Sequence, residues 1–114
     1  MITPEFLQAC TPEQINKGVE WLKIKLEFKI NRMNTLQFLL CNSRLITPKP
    51  YCTSPNDAMP IAFANNISIV FDVEPMAAID ICFDGPFCSV GLSSFNKNPL
   101  RAAMEVYLLM SNDK

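Results

Sequence analysis

The pattern of apolar and polar positions is most distinctive over residues 99–110, which are apolar almost all the way round a helix. Asn98 precedes this segment as a side-chain cap, and Pro99 takes the first helical position, where its fixed φ suits the helix. The predicted core stripe of this helix is Leu100, Met104, Tyr107 and Leu108. A helix of this kind is buried on more than one side, so we expect it to organise either the core or a contact with another chain.

The same helix has a second apolar side, which is the candidate partner interface: Ala102, Val106, Leu109 and Met110. Two coverings are open for this side, another element of the same domain or a second chain. A homodimer joined through a repeated patch is the simplest arrangement of the second kind. Arg101 and Glu105, four residues apart, are expected to form an ion pair on the helix surface.

Two segments near the start of the chain share a helix-start signature, Thr3-Pro4-Glu5 and Thr11-Pro12-Glu13. In each, threonine can cap free backbone N–H groups, proline suits the first helical position, and glutamate suits the positive helix end. The first predicts a single turn. The second predicts a true helix, with Gln14 in the reciprocal capping position.

A third start of the same design, Ser54-Pro55-Asn56-Asp57, predicts a helix over residues 55–65. Pro60 lies in its first turns and is expected to shorten or distort it. The helix ends at Asn65-Asn66, because asparagine tolerates the left-handed conformation. The residues predicted to point inward are Met59, Ala62 and Phe63.

Residues 24–30 support two structures. Leu26 and Ile30 would extend the preceding helix, but the apolar residues here also alternate strictly with charged ones, as in a half-buried strand. We favour a helix to about residue 23 followed by a strand. The apolar segment 36–41 fits a partner strand or a short buried helix, and periodicity does not decide between them.

Alternating positions predict strands over residues 67–73, 79–83 and 87–95, with connections short enough to imply antiparallel neighbours. The apolar faces of the first two, predicted to be covered by helices, are Ile67, Ile69, Phe71, Val73, Ile79, Ile81 and Phe83. The predicted fold class is α+β. An antiparallel sheet of three or four strands packs against two or three helices as an α/β sandwich, in a single domain of residues 1–114.

Composition argues against several kinds of catalytic site. The chain has no histidine, which excludes Ser-His-Asp and Cys-His nucleophiles and histidine-bearing zinc sites. Its three glycines build neither of the glycine-rich phosphate loops. The five cysteines are odd in number, lack Cys-x-x-Cys spacing and are interpreted as small buried hydrophobes. We expect a non-catalytic protein without cofactor or metal.

Charge is unevenly distributed. Residues 1–50 hold seven Lys and Arg against four Glu, whereas residues 51–114 hold three Lys and Arg against seven Asp and Glu. The candidate nucleic-acid contact, on one face if the segment is a strand, is Lys23, Lys25, Lys29 and Arg32. Glu27 interrupts this row, and no aromatic residue stands among the lysines to stack a base. We favour a solvated face or pairing with the acidic half, and keep nucleic acid as the alternative.

Membrane and export signals are missing from the pattern. No apolar run approaches the ~20 residues that span a bilayer. The first five residues are acidic rather than basic and open no signal-peptide core. We therefore expect a cytoplasmic protein without a membrane segment.

Three blocks of the sequence resemble the NinX-type small accessory proteins of lambdoid phages and prophages, and the related phage α/β/α-sandwich domains. The blocks are residues 14–19, residues 51–61 with 66–69, and residues 98–104. Residues 24–46 and 74–95 lie outside the resemblance, and Met59 stands where the family often has tryptophan.

The resemblance implies a compact sheet-and-helix fold, a phage or prophage origin and action in the bacterial cytoplasm. It implies no activity, because the family has no established function. We expect an accessory protein that binds a host or phage protein, or a second copy of itself. A nucleic-acid-binding regulator is the alternative, and a small enzyme using an acid pair or Cys52 is the third.

Overall fold

The computed structural model describes residues 2–28, 48–71, 75–79, 82–84, 87–89 and 91–111. Within these residues the fold is α+β, as predicted. The helices are α1 (Pro4–Ala9), α2 (Pro12–Phe28), α3 (Pro55–Ala64) and α4 (Pro99–Met110). The strands are β1 (Ser68–Val70), β2 (Met76–Ala78), β3 (Cys82–Asp84), β4 (Phe87–Ser89) and β5 (Ser93–Phe95).

Three strands form an open antiparallel sheet in the order β1-β2-β5, and β3 and β4 form a separate antiparallel pair. In the centre of the sheet Ala77 lies opposite Ile69 on one side and Ser94 on the other. Two backbone hydrogen bonds of Ile79 continue the pairing of β2 and β5. Its N–H donates to the Leu92 carbonyl over 3.0 Å, and its carbonyl accepts from the Gly91 N–H over 2.9 Å. The strand that pairs with β1 is Met76–Ala78, which lies outside the three predicted strands. The predicted strand over 87–95 is wrong as a single strand, because β4 and β5 belong to different sheets.

The core is organised around α4, which contacts α1, α2, α3, β1, β2 and β5. Residues 102–109 are all buried, so two full turns have no exposed side. This confirms that the helix is buried on more than one side. Elements of the same chain cover both sides, because α1, α2 and α3 supply the helical contacts and the sheet supplies the others.

Three predicted helix starts are visible as hydrogen bonds. Thr3 Oγ1 accepts from the Phe6 N–H over 3.1 Å. The Thr11 N–H donates to Gln14 Oε1 over 2.8 Å, and Thr11 Oγ1 accepts from the Gln14 N–H over 3.2 Å, which completes the reciprocal box. Asn98 Oδ1 accepts from two backbone N–H groups in the first turn of α4, over 3.0 and 3.3 Å. These caps confirm the starts of α1, α2 and α4.

The strand predicted from residue 24 is wrong for residues 24–28, because α2 continues as one helix to Phe28. Extending a formed helix adds one hydrogen bond per residue, and the local Lys, Leu and Glu residues favour helix. The alternation reflects an exposed helix end, where Leu26 and Phe28 are 41% and 68% exposed. Residues 29–47, including the rest of the predicted strand and the segment 36–41, lie outside the described residues.

The third helix also begins and ends near the predicted positions. α3 runs past Pro60 to Ala64, so the internal proline does not end it. Asn66 adopts a left-handed conformation with φ of 55°, as expected for an asparagine that reverses the chain after a helix. This reversal places β1 directly after α3.

Candidate functional site

The ion pair of α4 lies inside the protein rather than on its surface, so the expectation of a surface pair is wrong. Glu105 has a fully buried side chain and Arg101 is 12% exposed, with 3.6 Å between Arg101 Nε and Glu105 Oε1. The guanidinium also donates through Nη2 to the carbonyls of Leu7 and Cys10, over 3.0 and 2.6 Å. Arg101 therefore ties the C-terminal end of α1 to α4, where a cation suits the negative helix end.

Both carboxylate oxygens of Glu105 are occupied. Oε2 accepts from Gln8 Nε2 over 3.1 Å, and Oε1 accepts from Asn96 Nδ2 over 3.3 Å. Burial raises the pKa of Glu105, against the opposing effect of Arg101 and of the hydrogen bonds. A general base must reach the proton it removes, and these contacts leave Glu105 enclosed among protein donors. The arrangement fits a structural network linking α1, α4 and the end of β5.

A second set of polar contacts fixes residues 48–54 against α2. The buried Tyr51 hydroxyl donates to Glu20 and accepts from Lys23 Nζ over 3.3 Å. The Lys23 ammonium also lies 5.5 Å from the centre of the Tyr51 ring, within cation–π range. Burial, followed by the hydrogen bond to Glu20, raises the pKa of Tyr51. An activated phenolate would need the opposite shift.

The buried thiol of Cys52 is no better prepared as a nucleophile. Its backbone is held on both sides, because the N–H donates to Asn16 Oδ1 over 3.0 Å and the carbonyl accepts from Asn98 Nδ2 over 2.5 Å. Burial raises the pKa of the Cys52 thiol to about 11. Since the thiolate is the reactive form, this environment suits a structural cysteine.

The opposite arrangement, apolar groups in solvent, occurs where α3 meets β1. Phe63, Val70 and Phe71 are 76%, 42% and 74% exposed. Beside them is a groove of about 430 Å³, whose lining includes Met59 and Ile69 together with both phenylalanines. We call these five residues the α3–β1 surface.

No charged side chain lines the groove among the described residues, and the local sequence explains this. Residues 55–71 contain one charged side chain, Asp57, and it does not line the groove. The polar part of the lining is Asn66, which makes the left-handed reversal, and Ser68 at the start of β1. Ile67, between them, is buried and anchors the turn in the core.

The prediction that Phe63 points inward is wrong, and so is the prediction that Phe71 lies on a covered sheet face. The buried side of α3 consists of Ala58, Ile61 and Ala62. This i, i+3, i+4 spacing turns Phe63 away from the core. Counting the helical period from Ala58 rather than Met59 would have found this exposed side.

The structure places the predicted partner interface within the single chain. Ala102, Val106 and Leu109 are 0%, 0% and 4% exposed, and Met110 is partly buried. Other elements of the same chain cover this side, which is one of the two coverings that the sequence left open. The large exposed apolar side chains of the described residues lie elsewhere. They are Leu26 and Phe28 at the end of α2, Phe95 on β5, and Phe63, Val70 and Phe71 where α3 meets β1.

The predicted nucleic-acid contact required its basic residues to share one face of a strand, but residues 23–28 belong to a helix. Lys23 and Lys25 both lie on α2, where residues two apart point in different directions. The Lys23 ammonium donates a hydrogen bond to the Tyr51 hydroxyl. Lys29 and Arg32 lie outside the described residues.

The described residues contain neither a membrane-spanning helix nor a cluster of metal ligands. No helix there is both long and apolar enough to cross a bilayer. In the described part of the chain, no group of three or more His, Cys, Asp or Glu side chains is arranged to hold a metal ion. Comparisons with protein-family models, curated proteins and solved structures find no match.

Proposed function

We propose that this protein is a non-catalytic accessory protein that acts by binding protein through the α3–β1 surface. The observation that carries the proposal is the exposure of Phe63 and Phe71, 76% and 74%, beside a groove whose described lining residues are all uncharged. Contiguous apolar patches of this kind mark interaction sites on soluble proteins. Aromatic side chains are also the residues that most often dominate the binding energy of an interface.

The polar groups support the same proposal from the other direction. The contacts of Arg101, Glu105 and Tyr51 are made within the chain, and the pKa of each ionisable acid among them is raised by burial. The resemblance to NinX-type proteins adds a setting, the cytoplasm of a bacterium carrying a phage or prophage. The partner would then be a host or phage protein.

Affinity capture with three baits tests the proposal. The baits are the wild type, Phe63→Asp, and Phe28→Asp as the matched control. Phe28 is 68% exposed, similar to Phe63, but it lies at the end of α2 and does not line the groove. Captured proteins would then be purified and their binding to each bait measured by calorimetry.

We expect a partner that binds the wild type and Phe28→Asp equally, and binds Phe63→Asp at least about tenfold more weakly, as for loss of an interface anchor. Equal binding of the partner to all three baits would show that the α3–β1 surface is not the binding site. A captured protein counts as a partner only if it rebinds as a purified component.

A further inference from the structure

The geometry points to a second copy of this chain as the occupant of the α3–β1 surface, with β1 of one copy pairing antiparallel to β1 of the other about a twofold axis. This inference rests on the proposed function, because it names the protein that the surface binds. It moves the expected homodimer contact from α4, which is buried, to the edge of the sheet.

The first support is the open edge of β1. One side of β1 pairs with β2, and among the described residues no strand pairs with its other side. An unpaired edge offers N–H and C=O groups to another strand, and proteins usually protect such edges with charges, prolines or bulges. The segment from Asn66 to Phe71 contains neither a charge nor a proline.

The second support is the missing charge. A twofold axis brings each group near its own copy, so any charge on the surface would face the same charge across the interface. Asp57 is the single charged residue of positions 55–71, and it lies outside the groove lining. Among the described residues, the lining of the groove offers an acidic or basic partner no complementary charge and gives a second copy no like charge to repel.

The third support is shape. A self-complementary surface must carry both the projecting group and the cavity that receives it. Phe63 and Phe71 project into solvent, and the groove of about 430 Å³ lies in the same surface. In a twofold arrangement the phenylalanines of each copy would fill the groove of the other.

The area sets the expected strength. An aromatic side chain buries 150–250 Å², so four phenylalanines, exposed by about three quarters, supply roughly 600 Å². That is about half of the ~1,200 Å² at the lower end of specific interfaces, with Met59, Val70 and the strand backbones left to supply the remainder. We expect a reversible dimer that dissociates on dilution.

Sedimentation equilibrium of the purified full chain tests the inference, between about 1 µM and about 1 mM, where weak interfaces dissociate. The wild type and Phe28→Asp should rise from 12.9 kDa toward twice that mass as concentration increases. Phe63→Asp and Phe71→Asp should remain monomeric. Far-ultraviolet circular dichroism of each variant checks that its helices are retained.

A charge-exchange pair tests the strand pairing itself. Val70→Asp and Val70→Lys should each be monomeric, because like charges meet across the axis. Their equimolar mixture should associate at least about tenfold more tightly than either alone, since opposite charges then meet.

Three results would overturn the inference: a wild type that stays monomeric throughout, a Phe63→Asp variant that dimerises like the wild type, or a mixture of Val70 variants that gains nothing. A monomeric wild type whose capture of another protein still depends on Phe63 would leave the proposed function standing and assign the surface to that partner. A wild type that neither self-associates nor captures another protein would contradict both the inference and the proposed function.

Discussion

The polar network beneath α4 and the apolar surface on α3 and β1 reverse the usual distribution of residues. Glu105 is a carboxylate with no exposed surface, whereas Phe63 is an aromatic ring with 76% of its surface exposed. The first is surrounded by partners from the same chain. The second lies beside a groove in which none of the described lining residues is charged.

The difference shows how to separate residues that hold the fold from residues that are free to bind. A buried charge is costly unless it is paired, so the partners of Glu105 serve stability. An exposed aromatic ring gains little for the fold, and its burial free energy is still available for a partner. The two regions should therefore respond oppositely to substitution.

The largest loss of stability should follow Glu105→Ala. It leaves the Arg101 guanidinium buried without its carboxylate, and breaking a buried pair from one side typically costs about 3–5 kcal/mol. Urea denaturation followed by circular dichroism measures this. Glu105→Gln is the control, because it keeps the shape and an acceptor oxygen and should lose less. A loss below about 1 kcal/mol for Glu105→Ala would mean that the network does not hold α1 to α4.

Asn98→Ala should have the next largest effect. It removes the cap of α4 and the bond from Asn98 Nδ2 to the Cys52 carbonyl, and a lost cap costs about 1–2 kcal/mol. Ser54→Ala at the start of α3 is the matched control, since Ser54 makes no side-chain cap bond. It should change stability by less than about 0.5 kcal/mol. Similar losses for the two variants would contradict the assigned role of Asn98.

The pH dependence should distinguish Glu105 from its neutral variant. Burial raises the pKa of Glu105 above its usual value of 4.5, so the folded state binds a proton that the unfolded state releases. Its contribution to stability is complete below the unfolded pKa and is lost as pH rises through the folded pKa. The unfolding free energy of the wild type minus that of Glu105→Gln should thus fall as pH rises above about 4.5. Denaturation at matched pH values measures the difference, and a rise would contradict the raised pKa.

The smallest effect on stability should come from Phe63→Asp, within about 0.5 kcal/mol of the wild type. The same substitution is expected to abolish self-association. Glu105→Ala should therefore change the unfolding free energy, whereas Phe63→Asp should change the dimer affinity. Thermal unfolding at a concentration where the wild type is monomeric removes the contribution of the dimer. A large loss would mean that Phe63 supports the core after all.

Features set by neighbouring residues were predictable from the sequence. The caps at Thr3, Thr11 and Asn98, and the left-handed Asn66, depend on chemistry within a few residues. The α+β class followed from the change between helical and alternating periods.

Features set by distant contacts were not predictable. A buried Glu105 has the same local sequence as an exposed one, and its partner Gln8 lies 97 residues away. The end of α2 is a different case, because it fitted two periods and the extension of the preceding helix decided between them without burial of its last residues. Phe63 was misplaced because α3 is apolar on several sides. A helical period counted from Ala58 fits the sequence as well as one counted from Met59, and the contact of α3 with α4 decides between them.

The central position of α4 also has a consequence for synthesis. Every element it contacts precedes it in the chain, so α1, α2, α3 and the sheet all emerge from the ribosome before the helix that joins them. Their apolar faces and the strand edges stay open until residue 110 has emerged, and such surfaces are prone to aggregate. A pause in translation before residue 99 would therefore hold the nascent chain in a state that chaperones bind.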